Sequence, residues 1–219
     1  QLPAVDLLAR RGLRLVYVDA DAPPRRPAIT IDDYGGAKAA AEHLLSLGHR
    51  RILIVTTGFG PEPGLVTGPP PASAMRQRVL AQRWNGWLDA LTAAGVQPQV
   101  ANQPDPYAPD GLEQLLAATD RPSAALCLTD VLAQALIAAA TDRGLSVPAD
   151  LAVVGFDDHP LAERTRPALT TVAQDVDLKG RAAVRALLAE SARLADPSAE
   201  APLSRRLRVN LVVRDSTVG

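Results

Sequence analysis

The segment Leu151-Ala-Val-Val-Gly-Phe-Asp-Asp158 is an apolar run of strand length that ends in two acidic residues. An unbroken apolar run of this length is typical of a strand buried on both faces of a parallel sheet. The acids then lie at the carboxyl end of the strand, the edge where open α/β sheets bind ligands. The segment predicts that Asp157 faces a small-molecule ligand. For Asp158 the alternative is that its carboxylate satisfies backbone donors in the turn.

Strands and helices alternate on the amino-terminal side of this segment. Between residues 52 and 156 apolar strand-length runs follow stretches of helical periodicity, which predicts a doubly wound parallel α/β sheet. The rhythm changes at Pro167-Ala-Leu-Thr-Thr-Val172, and residues 169–173 are predicted to be extended. The other elements expected from the pattern are strands over 13–19 and 28–31, helices over 2–11, 36–47, 74–94, 110–118, 129–143 and 178–194, and a last strand over 207–213.

Composition narrows the classes of protein to which the chain can belong. Lys and Arg number 23 against 24 Asp and Glu, so the basic excess of a nucleic-acid-binding domain is missing and this chain is not expected to touch DNA itself. The single Cys127 lies in an apolar run and is interpreted as a small buried hydrophobe. No apolar run approaches the roughly 18 residues of a membrane span. We therefore expect a soluble, cytoplasmic protein without membrane contact.

Catalytic, metal and nucleotide motifs are not found in the sequence. There is no Gly-x-Ser-x-Gly elbow, no phosphate-binding loop ending in Gly-Lys-Ser/Thr, and no pair of cysteines. His43, His49 and His159 are not at the spacing of metal ligands. Gly58-Phe-Gly60 lacks the third glycine of a dinucleotide fingerprint, and prolines follow it, so residues 57–73 are interpreted as a flexible flap. The chain is predicted not to be an enzyme and to need no cofactor or metal.

Polar residues at the ends of predicted strands form the candidate binding site. Thr129 and Asp130 follow one strand and Asp157 follows another, while Arg83 lies on the helix after the flap. Carboxylates accept hydrogen bonds and a guanidinium donates a planar fork, so together they can hold vicinal hydroxyls. Tyr107, in a loop after a strand, could stack on a sugar or base. The alternative for Asp130 is that it only caps its helix.

Eight motifs in register give the chain a family resemblance. They are Asp32-Asp-Tyr-Gly-Gly-Ala, Glu42-His-Leu-Leu-Ser-Leu-Gly-His-Arg-Arg-Ile52, Arg83-Trp-Asn-Gly-Trp, Pro122-Ser-Ala-Ala, Thr129-Asp130, Val147-Pro-Ala-Asp-Leu-Ala-Val-Val-Gly-Phe-Asp-Asp158, Pro167-Ala-Leu-Thr-Thr-Val172 and Leu211-Val-Val-Arg-Asp-Ser-Thr217. Each is weak alone, but in this order they span nearly the whole chain. Together they resemble the regulatory core of LacI/GalR-type transcription regulators.

The resemblance implies a periplasmic-binding-protein-like fold of two doubly wound subdomains joined by three crossing strands, with an effector cleft. In the family's pattern Arg83 matches the arginine that holds effector hydroxyls or carboxylate, and Asp157 matches the effector-facing acid. Thr129 stands where the family usually has Asn, which puts that hydroxyl contact in doubt. Asp33 also replaces a common Asn near the first subdomain's share of the cleft.

The resemblance also gives expectations about organisation and partners. Residues 1–48 and 175–204 would be the remnant of an incomplete, amino-terminally truncated first subdomain, and residues 49–173 and 207–219 a complete second one. The helix-turn-helix domain that would bind operator DNA is absent from this chain. The implied function is the effector-binding and dimerisation domain of a homodimeric bacterial repressor that responds to a sugar-like ligand. The alternative is a periplasmic sugar-binding protein of a transport system.

Overall fold

The computed structural model describes residues 3–107, 111–195 and 204–218. It divides into a small unit, Gln1–Asp32 with Asp175–Arg208, and a large unit, Asp33–Gln174 with Val209–Gly219. The chain passes between the units three times, which is the number of crossings implied by the resemblance. In chain order the elements are α1 (Pro3–Arg10), β1 (Tyr17–Val18), β2 (Ala28–Ile31), α2 (Asp33–Ser46), β3 (Ile52–Thr56), β4 (Gly64–Leu65), α3 (Ala72–Met75), α4 (Arg78–Ala93), β5 (Gln99–Asn102), α5 (Leu112–Ala117), β6 (Ala124–Cys127), α6 (Asp130–Asp142), β7 (Ala152–Asp157), α7 (Leu161–Arg164), β8 (Thr170–Gln174), α8 (Val176–Ala195), β9 (Arg205–Leu207) and β10 (Val209–Val212).

The large unit is built on a seven-stranded sheet in the order β10-β8-β7-β6-β3-β5-β4. Strands β8, β7, β6, β3 and β5 are mutually parallel, while β10 and β4 pair antiparallel at the two edges. Every residue of β3 and β6 is buried, as expected where helices cover both faces of a sheet. The prediction of a doubly wound, mostly parallel α/β sheet is confirmed.

Helix α2 belongs to the large unit, whereas the expected boundary of the first subdomain was residue 48. Its buried face is made of small residues, among them Gly36 and Ala37. A Cβ on Gly36 would come within 2.7 Å of Val172 on β8 and of Val209 on β10. Small side chains let this helix approach both the sheet and α4 closely, so its apolar face is buried in the large unit.

Three other predicted elements have different bounds in the structure. The helix expected over 74–94 is two helices, α3 and α4, because Gln77 is extended and acts as the N-cap of α4. The last strand is divided at Arg208 into β9, which pairs with β2, and β10, which pairs with β8. Only Tyr17 and Val18 of the stretch 13–19 pair as a strand. Asp110, the expected cap of the helix over 110–118, lies outside the described residues.

The long connection after β3 is tied to the sheet edge. Within it, β4 pairs with β5, and the buried side chain of Asn102 makes three hydrogen bonds to the loop backbone. Its amide nitrogen donates to the carbonyls of Gly60 at 3.1 Å and Glu62 at 2.7 Å, and its oxygen accepts from the Phe59 N–H at 3.0 Å. Asn102 therefore ties the backbone at Phe59, Gly60 and Glu62 to β5, while the interpretation of residues 57–73 as a flexible flap or partly disordered loop stays a prediction.

Replacing Asn102 by alanine is expected to release this connection, because three backbone groups lose their partner at once. Limited proteolysis should then cut between residues 58 and 66 at least tenfold faster than in the wild type, a factor that corresponds to about 1.4 kcal/mol. Gln97, exposed and in the turn before β5, provides the matched control as Gln97→Ala. Equal cleavage rates for Asn102→Ala and the wild type would show that the side chain does not hold the loop.

The small unit contains a three-stranded parallel sheet in the order β1-β2-β9. Ile29, Ile31 and Leu207 are buried in it. Ion pairs among the described residues of the unit include Lys179 with Asp19 at 2.5 Å, and Arg26 with the fully buried Glu190 at 3.1 Å. Several large apolar side chains are nevertheless exposed here, including Leu13, Val176, Val184, Leu187 and Leu188. Among the described residues, no helix combines the length and apolar character that a membrane span requires.

Candidate functional site

The carboxyl ends of the parallel strands in the large unit meet at one edge of the sheet. Strand β6 ends there just before Leu128, β7 ends at Asp157, and β8 ends at Gln174. Helix α6 begins at the same edge, directly after β6. The spacing of the sequence predicted that Asp130 and Asp157 would share this edge, and the strand order places β6 and β7 side by side.

Arg83, on α4, is the centre of the polar contacts at this edge. Its Nε donates to Asp33 Oδ1 at 3.0 Å, its Nη1 to the Leu128 carbonyl at 2.5 Å, and its Nη2 to Asp157 Oδ1 at 3.0 Å. The guanidinium carbon lies 3.5 Å from the centroid of the Phe156 ring, a cation–π contact. One cation thus joins two carboxylates, a carbonyl and an aromatic face.

Arg83 and its partners differ greatly in accessibility. The Arg83 side chain is 5% exposed and the Asp33 side chain 0%, whereas the Asp157 side chain is 29% exposed. Asp157 Oδ1 also accepts a hydrogen bond from Gln174 Nε2 at 2.8 Å. Of the Arg83–Asp33–Asp157 cluster, Asp157 therefore has the most accessible charged group. Arg83 and Asp33 lie behind it and fix its position.

Thr129 and Asp130 have different roles from those expected. The Thr129 hydroxyl accepts from the Leu132 N–H at 3.3 Å, so Thr129 is the N-cap of α6 and the interpretation of Asp130 as the cap is wrong. Asp130 is buried, and its carboxylate accepts from the Thr171 hydroxyl at 2.6 Å and from the His159 N–H at 2.7 Å. Burial raises the pKa of Asp130 to about 7, against the lowering effect of these two hydrogen bonds.

Asp158 and Tyr107 lie outside the cluster around Arg83. The Asp158 carboxylate forms an ion pair with Arg214 Nη2 at 2.8 Å, instead of satisfying backbone donors in the turn. Tyr107 is 80% exposed, and its own N–H donates to Asp105 Oδ1. Within the described residues, the hydrogen bonds of Arg83 and Asp157 given above do not involve Tyr107. A stacking role for Tyr107 remains a prediction.

Gln174 is a site residue that the motif reading missed. It contacts Asp157 directly and is the last residue of β8, the strand next to β7. The signal was present in the sequence, because a polar residue at the carboxyl end of a strand adjacent to the acidic one must reach the same edge. The pattern predicts only that residues 169–173, just before Gln174, are extended.

The side chains of His43 and His49 make structural contacts, and the thiol of Cys127 is buried. His43 Nε2 lies 2.9 Å from the Thr217 hydroxyl, and His49 Nδ1 lies 3.0 Å from the Ser123 hydroxyl. Burial lowers the pKa of both histidines and raises that of the Cys127 thiol. Cys127 is buried in β6, as predicted. In the part of the chain that the structure describes, no group of three or more His, Cys, Asp or Glu residues could hold a metal ion.

Comparison with known proteins gives consistent matches. The model of the family described as periplasmic binding protein-like domain matches residues 41–217. The HTH-type transcriptional regulator MalR of Streptomyces coelicolor is 33% identical over 218 residues, covering 96% of this chain and 58% of the relative. The lactose operon repressor of Escherichia coli is 33% identical over 156 residues, covering 70% of this chain and 39% of the repressor.

Solved structures give the same picture at the level of the fold. A LacI family transcriptional regulator from Enterococcus faecium with bound ribose aligns with a TM-score of 0.78 and 25% identity, covering 99% of this chain and 75% of that one. The chain spans about half the length of the curated relatives it matches.

Proposed function

This chain belongs to the periplasmic binding protein-like domain family, and on that basis we propose that it is the effector-binding core of a LacI-type transcriptional regulator. The names of its relatives support regulation over the alternative of transport, because MalR and the lactose operon repressor are both named as regulators of transcription. The regulator is proposed to act as a homodimeric repressor whose DNA-binding domain lies outside this sequence. Effector binding then changes operator affinity through the linkage between two binding sites on one protein.

The observation that carries the proposal is the partly exposed Asp157 carboxylate held by a buried arginine. Hydroxyl groups of a sugar donate hydrogen bonds, and a carboxylate accepts them more strongly than a neutral oxygen does. Because Arg83 and Gln174 both bind Oδ1 of Asp157, the carboxylate is positioned before any ligand arrives. Such preorganisation lowers the ordering cost of binding. The ligand class is therefore a sugar or a similar small polyol, as in the ribose-bound relative.

The test is titration calorimetry of the 219-residue chain with a panel of D-ribose, D-glucose, maltose and cellobiose. We expect one of these sugars to bind, and Asp157→Asn to weaken its binding at least tenfold, because a charge-assisted hydrogen bond contributes about 1.5–3 kcal/mol. Asp150→Asn is the matched control. It removes a surface carboxylate that binds Arg121 and the Ser146 N–H, far from the contacts of Asp157, so affinity should stay within twofold.

Two outcomes would contradict the proposal. The first is an Asp157→Asn variant that binds the same sugar as tightly as the wild type does, while its circular dichroism shows it to be folded. The second is the failure of every sugar in the panel to bind to the wild type.

A further inference from the structure

Asp130 connects three neighbouring strand ends of the large unit. It is the first residue of α6, directly after β6, and its carboxylate receives one hydrogen bond from Thr171 on β8 and one from the His159 N–H after β7. Gly155 of β7 lies directly against it, because a Cβ at that position would overlap Asp130 Oδ1. The residue is 2% exposed. Both polar contacts are therefore made inside the protein.

The turn that Asp130 contacts has an unfavourable backbone. Asp157 has a φ of 113° and Asp158 a φ of 52°, and a positive φ is costly for residues other than glycine. The next amide, that of His159, is the one that Asp130 binds. The Thr171 hydroxyl accepts from the Asp158 N–H at 3.3 Å and donates to Asp130. Two hydrogen bonds thus hold the turn that follows Asp157: the Asp158 N–H donates to the Thr171 hydroxyl, and the His159 N–H donates to the Asp130 carboxylate.

We propose that Asp130 is a positioning residue, a latch that keeps the Asp157–His159 turn in the conformation that presents Asp157 to the effector. The proposal rests on the proposed function for what Asp157 binds, but the latch itself is a property of the unliganded chain. In this proposal Asp130 does not contact the effector, whereas the sequence predicted it to be a ligand-binding residue. It acts through the geometry of the turn.

The latch depends on the charge of Asp130. The ionised carboxylate accepts both hydrogen bonds with full charge assistance, and protonation weakens them. Burial, with a smaller effect from the acids of the turn, disfavours the charged form and raises the pKa of Asp130 to about 7. The ionisable groups around Asp130 are Asp157, Asp158 and His159 in the turn and Cys127 on β6, with Arg83 and Arg214 pairing with the two turn acids.

Two pH effects of opposite sign follow. The pKa of Asp130 is raised in the folded state, so its contribution to stability is fully present below the unfolded pKa and is lost as pH rises through about 7. The latch, in contrast, is tightest above pH 7, where the carboxylate is charged. Between pH 8 and pH 6 the wild type should therefore gain stability from this group while the turn loses protection. A side chain with only a structural role would change the stability of the protein and the protection of the turn in the same direction.

Hydrogen exchange of the unliganded chain tests the latch without any effector. Asp130→Ala is expected to lower the protection factors of the Asp158, His159 and Leu161 amides at least tenfold, and Asp130→Asn to lower them less and to remove their dependence on pH between 6 and 8. Asp142→Asn, at the exposed end of the same helix, should leave them unchanged. Thr171→Val should also lower protection, and Thr171→Ser, which keeps the hydroxyl, should restore it.

The latch is refuted if the Asp158, His159 and Leu161 amides keep wild-type protection in both Asp130→Asn and Thr171→Val. A second readout is the affinity for whichever sugar of the panel binds. In the wild type this affinity should fall at least threefold from pH 8 to pH 6, and in Asp130→Asn it should be lower at pH 8 and flat over this range. A flat wild-type profile beside lowered turn protection would refute the coupling to Asp157, whereas the absence of any sugar binding would refute the proposed function and leave the exchange result to decide on the latch.

Discussion

Replacement of Arg83 by alanine is expected to lower the free energy of unfolding of the large unit by about 3–5 kcal/mol. The change removes the cation from a site where the Arg83 side chain is 5% exposed and the Asp33 side chain 0%. Asp33 would then be a buried carboxylate that has lost its ion pair with Arg83, and Asp157 would lose the hydrogen bond from Arg83 Nη2. Removing one member of a buried pair is costly because the other member stays desolvated.

Urea denaturation followed by tryptophan fluorescence measures this effect, because Trp84 and Trp87 are buried on the same helix as Arg83. Arg121→Ala is the matched control, since its pair with Asp150 has both side chains about one-third exposed, and it should change stability by less than about 1 kcal/mol. Arg83→Lys should fall between the two, because an ammonium group cannot reproduce the planar fork that reaches three acceptors. Loss of only about 1 kcal/mol in Arg83→Ala would show that Arg83 is not the structural centre of the site.

The same geometry affects how ligand-binding experiments on this protein should be read. A variant of Arg83 weakens binding and folding together, so its lowered affinity says little about contact with the effector. Asp157 is only partly buried. Its replacement by asparagine keeps an oxygen that can accept hydrogen bonds from Gln174 and Arg83. For this reason the asparagine variant separates ligand contact from stability better than the arginine variant does.

The sequence was sufficient for the parts of the fold that depend on local pattern. The apolar run at 151–156 is a central strand because nearly every residue in it is apolar, and only a strand covered on both faces buries such a run. The positions of Thr129, Asp130 and Asp157 at one edge followed from the rule that parallel strands end on the same side. These inferences need no knowledge of which residues touch.

The contacts of the site could not be read in the same way. Asp130 meets Thr171, which is 41 residues away, and His159, which is 29 residues away, so no local spacing reports either hydrogen bond. At the start of a helix, the sequence does not distinguish an aspartate that caps the helix from one whose buried carboxylate binds residues on other strands. Likewise, the division of the last strand at Arg208 depends on which partner strand is nearer at each end, since both halves carry extended, alternating sequence.

Gly86→Ala is the other substitution with a large expected effect, and it tests the close approach of α2 to α4. A Cβ at residue 86 would overlap the carbonyl oxygen of Tyr34 and come within 3.0 Å of the Lys38 N–H nitrogen and 3.1 Å of the Ala37 Cβ. Two of these three atoms are backbone and cannot rotate away, so the helices must separate. Overpacking of this kind costs about 1–3 kcal/mol, and here the upper end is expected.

The intrinsic helix preference works in the opposite direction, because alanine is favoured over glycine in a helix interior by about 1 kcal/mol. Substitution of Gly180 on α8 measures this helix preference without any packing effect, since Gly180 is exposed and a Cβ there would have no heavy atom within 4 Å. Thermal unfolding followed by circular dichroism should therefore show Gly180→Ala equal to or more stable than the wild type, and Gly86→Ala less stable by about 2 kcal/mol after the preference is offset. Equal gains in stability for the two variants would show that residue 86 does not need to be glycine for α2 and α4 to pack closely. The burial of α2 in the large unit would then need another physical reason.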